Sequence, residues 1–240
     1  MINVICVKWG TKYNSNHVNR LFKMVKKNLS LPFSFYCLTE DPKEIDKNIN
    51  IIPIKHDLEV WWNKLAMFEK GFGGLSGRCL FFDLDIIIQN NINDIALYEH
   101  DGLCKIFAHW KSEDVFTNNH FFDMRNNSSC LTWEADSLHF IWEYFCTDID
   151  HYLFKYRGID RFMYWEENLK PHITTFPKEW FYSRVQGDGE TNGQIPTNKY
   201  RNDKRIYLFE RPEKKVCLLN GFSKYFTEDE VLEGLDVYYR

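Results

Sequence analysis

The sequence predicts an α/β protein, a mostly parallel sheet flanked by helices and folded as a single domain over residues 1–240. Three observations predict it. The length of 240 residues is that of one such domain. Short β-branched and aromatic runs alternate with 3.6-residue apolar periodicity through the first hundred residues. Residues 78–88 form a nearly continuous apolar stem, as a strand covered on both faces requires. Apolar residues at 44% and charged residues at 27% are globular averages, which excludes disorder, collagen-like repeats and coiled coil.

Residues 2–8 read as the first strand, closed by Trp9-Gly10-Thr11. Asn14-Ser15-Asn16 offers helix caps, and Val18, Leu21, Phe22, Val25 and Leu29 keep a helical rhythm after it. Lys23, Lys26 and Lys27 fall on the polar side of that helix as a solvated face. Residues 33–38 predict a second strand, ended by the turn Thr39-Glu40-Asp41-Pro42, and residues 50–54 a third, at an edge because Pro53 has no N–H for a ladder. Residues 61–70 predict a helix stopped by Gly71, Gly73 and Gly74, and residues 78–88 the central strand. Ligands of such a sheet belong at the carboxyl ends of its strands. Beyond residue 100 the spacing predicts strands at 103–108 and 120–124, a helix at 131–145, and late strands at 206–209 and 216–219. The polar, glycine-rich stretch 187–194 predicts a mobile surface excursion or an active-site lid.

Thirty basic against thirty-four acidic side chains, a net charge of −4, offer no bulk attraction to nucleic-acid phosphates. The seven cysteines are scattered and odd in number, so buried thiols in a reducing compartment are expected. With no signal-like N-terminus and no run of about 18 apolar residues, the expected location is cytoplasmic, with no transmembrane segment. Aromatics are abundant, with twenty Phe, thirteen Tyr and eight Trp. Some are expected to line a cleft that stacks sugar rings or nucleobases, and a Phe-rich core is the alternative.

The strongest chemical signal is Phe82-Asp83-Leu84-Asp85-Ile86. On a strand, Asp83 and Asp85 share a face with Cα atoms about 6.5–7 Å apart. Two bare carboxylates there repel by about 2–2.5 kcal/mol at an effective dielectric of ~20. A hard divalent cation, Mn2+ or Mg2+, removes that repulsion and keeps positions open for diphosphate oxygens. Two solvated aspartates at a strand end are the plainer alternative, set against the apolar residues on both sides of the pair.

Taken together, Val4-Ile5-Cys6-Val7-Lys8-Trp9-Gly10-Thr11-Lys12-Tyr13, Trp61-Trp62-Asn63-Lys64-Leu65 and Phe81-Phe82-Asp83-Leu84-Asp85 resemble the GT-A (Rossmann-like) glycosyltransferases, particularly small enzymes of viruses and bacteria. The resemblance covers most of the first 130 residues. It implies a nucleotide- and donor-binding half (1–100), an acceptor-side half (101–240), and transfer of a sugar from a nucleotide diphosphate sugar, a UDP-sugar, to a glycan or other hydroxyl acceptor. It implies nucleotide or donor contacts from Lys8, Trp9, Gly10, Thr11, Lys12, Tyr13, Thr39 (with Glu40 and Asp41), Lys64, Asp83, Asn127 and Ser128. Metal ligation falls to Asp83 and Asp85, and the catalytic roles to Lys64 at the leaving diphosphate and to Asp160 at the acceptor hydroxyl. Leu218-Leu219-Asn220-Gly221 is similar to the place where glycogenin-like retaining enzymes carry His-Gly, so Asn220 stands where a third metal ligand would be; the glycogenin-like traits favour retention.

Plainer readings stand beside these. Lys64 is also what an exposed helix lysine looks like. Asp160 suits an N-cap for the aromatic segment Phe162, Tyr164, Trp165. Residues 126–129 suit an N-cap for the helix expected from 131, or a glycosylation sequon. A nucleotidyltransferase would also use paired aspartates, although Trp9-Gly10-Thr11-Lys12 is a poor phosphate loop, and a non-catalytic carbohydrate-binding protein would explain the aromatics alone.

Overall fold

The computed structural model describes residues 1–110, 125–156 and 158–240. The expected strand at 120–124 lies outside the described residues apart from its neighbour Arg125. β1 (Ile2–Lys8), β2 (Phe33–Thr39) and β3 (Asn50–Pro53) pair in parallel, and β4 (Arg78–Phe82) pairs in parallel with the other side of β1. The sheet continues through β7 (Asn126–Glu134), antiparallel to β4, to β6 (Leu103–Phe107) and β8 (Ile173–Thr175), in the order β3-β2-β1-β4-β7-β6-β8. It is mostly parallel, with β3 and Pro53 at an edge as the missing N–H demands.

Alternation of side chains sorts the core into two layers. Val4 and Cys6, Leu80 and Phe82, and Cys130 face the layer that holds α1 (Ser15–Asn28) through Val18, Leu21, Met24 and Val25 and the short α2 (Asn93–Ala96) through Ile95 and Ala96. Ile5, Cys79 and Phe81, and Leu131 and Trp133 face the layer of α3 (His139–Cys146), α4 (Ile149–Tyr156) and α5 (Ile159–Trp165). Part of the aromatic content packs there: Trp62, Phe145, Tyr152 and Phe162 lie ring against ring at centroid distances of 5.1–6.2 Å. α1 starts as expected, on Asn14, whose side chain accepts from Asn16 N while His17 closes a capping box. The lysines at 23, 26 and 27 are exposed.

Several elements depart from the sequence reading. The single strand expected at 78–88 is two. β4 ends at Phe82, the chain bends at Leu84 and Asp85, and β5 (Ile86–Ile88) joins a separate three-stranded sheet with β12 (Val216–Leu218) and β9 (Phe181–Ser183). The Asp83/Asp85 pair therefore sits on a connector between two sheets and not on one strand face. The helix expected at 131–145 is strand β7 followed by α3, because Leu131, Thr132 and Trp133 are claimed by pairing to β4 and β6. Residues 126–129 consequently belong to β7 and cap no helix.

Residues 61–70 form a 3-10 segment, Val60–Phe68, and not an α-helix. Residues 62–68 are all buried, and Asn63 Nδ2 donates to the carbonyls of Leu58 and Val60, which ties the turn tightly at its start. Lys64 is thus buried, not the exposed helix lysine of the plainer reading.

The stretch 187–194 is fastened down: Asp188 forms a two-pronged ion pair with Arg211 (2.7 and 2.8 Å), both side chains 3% exposed. Gly187 has φ +77, and a Cβ there would lie 2.9 Å from Phe209, so only glycine fits. The late strands appear as β11 (Lys204–Phe209) and β12; β10 (Gln194–Arg201), which pairs with β11, carried no clear sequence signal. Six of the seven cysteines are buried, Cys146 is exposed, and none of those described is in a disulfide. Among the described residues no helix is long and apolar enough to cross a membrane.

Candidate active site

The carboxyl ends of β1 and β4 meet the bend between the two sheets, and two cavities open there. One, about 310 Å³, is lined by Trp9, Thr11, Lys12 and Tyr13 from the loop after β1. The other, about 340 Å³, is lined by Asn127 and Ser128 of β7, Asp160 of α5 and Asn220 after β12. Trp61, Lys64, Asp83 and Asp85 line both and form their common wall. Each volume falls in the range of about 300–1,000 Å³ usual for small-molecule sites.

Lys64 organises this wall. Its Nζ lies 2.7 and 2.9 Å from the two carboxylate oxygens of Asp83, and it donates to Ser128 Oγ at 3.1 Å and Ser128 O at 3.4 Å. The ammonium also sits 5.1 Å above the Phe81 ring. Asp85 accepts from Tyr13 Oη at 3.0 Å. Burial, then the neighbouring Asp83 charge, pushes the Asp85 carboxyl above its ordinary range against the pull of Lys12 and Lys64. Burial, followed by the Asp85 charge, pushes the Tyr13 phenol well up, so it stays a hydrogen-bond donor.

The backbone N–H of Leu219 donates to Asp85 O at 2.9 Å, which brings Asn220 to the carboxylates. Among the described residues, neither Asn220 Oδ1 nor Asp160 Oδ1, both buried, has a hydrogen-bond partner. Asp160 lies in the first turn of α5, whose N-cap is Gly158 with no side-chain bond, so capping does not explain it. Asn127 lines the cavity while its Oδ1 accepts from Ser129 N at 2.8 Å.

Other expected contact residues lie behind the wall. Lys8 is buried, and its Nζ donates to Asp41 O (3.0 Å) and Asp41 Oδ2 (3.3 Å). Thr39 Oγ1 is engaged with the backbone of Asp41. Gly10, at φ +63, turns its N–H onto Glu40 Oε1 at 2.6 Å. Lys8, Gly10 and Thr39 line neither cavity; they brace the loops after β1 and β2 against each other.

Trp61 is a cavity residue that the sequence pattern does not single out. It is 46% exposed and faces both cavities, while adjacent Trp62 is buried. A Cβ at Gly158 would lie 3.2 Å from Trp61 Nε1, so the glycine keeps room for that indole. The doubled Trp61-Trp62 is the signal that could have found it, since two neighbouring rings cannot both point into one core.

Among the described residues no group of three or more His, Cys, Asp or Glu side chains could hold a metal ion. What the wall offers is a set of hard oxygen donors, the carboxylates of Asp83 and Asp85 and the unpartnered amide oxygen of Asn220. That donor chemistry fits Mg2+ or Mn2+ with positions left for a ligand's oxygens.

The architecture is the GT-A, Rossmann-like glycosyltransferase fold. Among solved structures, the chain is similar to the glycosyltransferase GlyE of Streptococcus pneumoniae TIGR4, with a TM-score of 0.51 and 9% identity over 77% of this chain and 48% of that one. This chain therefore spans about half the length of GlyE. It also aligns with the galactosyltransferase LgtC in complex with donor and acceptor sugar analogues, at a TM-score of 0.47 and 10% identity over 75% of each chain. No protein-family model and no curated protein matches the sequence.

Proposed function

We propose that the protein is a metal-dependent glycosyltransferase that moves a sugar from a nucleotide diphosphate sugar, specifically a UDP-sugar, to a hydroxyl of a glycan or other acceptor, with retention of anomeric configuration. One observation carries the reading: an aromatic cavity and a polar cavity share a wall made of Lys64, Asp83 and Asp85. A nucleotide diphosphate sugar has the same three parts in order, a stacking base, a doubly charged bridge and a polyhydroxyl ring.

In this reading Trp9 and Tyr13, with Trp61 at the boundary, flank the nucleotide. A bound Mn2+ or Mg2+, held by Asp83, Asp85 and Asn220, would supply neutralisation of the diphosphate charge that grows as the anomeric bond breaks. Lys64 holds Asp83 in place and lends a second positive charge at the same wall. Tyr13 orients Asp85 through its hydroxyl. A carboxylate oxygen of Asp160 accepts a hydrogen bond from the acceptor hydroxyl and orients the hydroxyl oxygen toward the anomeric carbon. The tilt to retention rests on the glycogenin-like segment that ends in Asn220-Gly221.

The test is a panel of nucleotide sugars with Mn2+ or Mg2+, read as released nucleotide, with the product anomer assigned by NMR. Metal-stimulated release from a UDP-sugar is expected. A protein that binds free sugars with no metal dependence and releases no nucleotide would be a carbohydrate-binding protein instead.

A further inference from the structure

A third cavity, about 370 Å³, is lined in part by Asn126 and shares no lining residue with the two active-site cavities. Its floor is Lys105 of β6, and Arg125, Asn126, Tyr164 and Trp165 contribute to its walls. Lys105 is 4% exposed, yet among the described residues its ammonium has no hydrogen-bond or ion-pair partner; Asp160 acts on it only from beyond 4 Å. Trp165 Nε1, a donor, and Asn126 Oδ1, an acceptor, are buried and unpartnered as well. Asn126 spends its Nδ2 on Asp160 O at 2.8 Å, which ties this cavity to the active-site cavity.

A buried polar group that nothing satisfies destabilises the fold, and three such groups in residues that line one cavity form an arrangement that a ligand would complete. Two donors without a partner among the described residues, one of them charged, call for an oxyanion. The unpartnered amide oxygen calls for a hydroxyl, and the half-buried Tyr164 offers a face for a sugar ring. We propose that this cavity binds an acidic sugar unit of the acceptor, its carboxylate or phosphate on Lys105 and Trp165 and a hydroxyl on Asn126. This rests on the glycosyltransferase reading for the word acceptor, but not for the binding itself. Burial pulls the Lys105 ammonium down to about 8, the expected state of a cation that waits for a counter-charge.

The experiment is isothermal titration of the whole protein, without donor or metal, with glucuronate, glucose 6-phosphate and glucose. Glucuronate or glucose 6-phosphate should bind at least tenfold more tightly than glucose, and the tighter of the two identifies the anion as carboxylate or phosphate. Lys105→Met, which replaces a buried charge with an apolar chain of similar length, should abolish the preference; Trp165→Phe, which keeps the ring and removes the donor, should cut it several-fold. Equal binding of the three sugars, or an undiminished preference in both variants, overturns the proposal. Metal-stimulated nucleotide release by the wild type is measured alongside. Its absence with the anion preference intact would sink the transferase reading and leave the acidic-sugar site standing.

Discussion

Replacing Lys64 by Met perturbs the contact on which the shared wall turns. The ammonium lies 2.7 and 2.9 Å from the Asp83 oxygens and 3.1 Å from Ser128 Oγ, with Lys64 9% and Asp83 22% exposed. At such separations an effective dielectric of ~20 gives a gross attraction of about 6 kcal/mol, much of which desolvation of the two ions cancels. Deleting one partner of a buried pair costs about 3–5 kcal/mol because the other charge is stranded. Asp83 is about a fifth exposed, and water can partly rehydrate it, so the expected loss is about 2–3 kcal/mol. Removing the stranded charge as well, in Lys64→Met/Asp83→Asn, should recover most of that loss. The assay is urea unfolding of the wild type, both single variants and the double variant, closed as a thermodynamic cycle. A coupling energy of at least about 1.5 kcal/mol is expected for a direct buried pair, and a value under about 0.5 kcal/mol would refute the engagement of Lys64 with Asp83.

Asp85 carries a carboxyl that burial and Asp83 hold above its usual range, so folding disfavours its charge and the metal-free protein loses stability as pH rises through that raised value. Asp85→Asn should therefore raise the metal-free Tm at pH 7 by about 2–4 °C while abolishing metal-stimulated turnover; a lowered Tm with turnover retained contradicts the assignment. Asp188 behaves oppositely: burial alone would raise its carboxyl, but Arg211's hydrogen bonds prevail and hold it below the ordinary range. That stabilisation is present above the unfolded value of ~3.9 and is lost as pH falls through the lower folded one. Asp188→Asn should cost about 3 kcal/mol at pH 7 and much less in acid, by urea unfolding at several pH values. Brief iodoacetamide treatment of the native protein should label Cys146, while burial pushes Cys79, Cys104 and Cys217 up to about 12 and shields them; intact-protein mass spectrometry should show mainly one adduct.

Local chemistry was legible where neighbours in sequence decide the outcome. The α1 cap at Asn14, the apolar rhythm from Val18 to Leu29 and the edge position of Pro53 all follow from short-range rules, and the fold from β1 to β3 reads off them. The carboxylate pair was visible for the same reason, as two charges set in an apolar run. Residues 131–145 misled, because an apolar periodicity does not say whether a segment will find strands on both sides; β4 and β6 supply them, and long-range pairing overrides propensity.

Legible without coordinates are the α/β alternation, the two-sided core and the chemical types gathered near the ends of β1 and β4. Tertiary structure alone decided that Lys64 is buried on Asp83, that Asn220 arrives beside Asp85 through the Leu219 hydrogen bond, and that Lys8 and Thr39 brace loops instead of lining a cavity. It alone also gathered Lys105, Asn126 and Trp165, sixty residues apart at the extremes, around one cavity. The physical reason is that helix and strand periods report which face a residue occupies, whereas which faces meet depends on the folding of segments far apart in the chain.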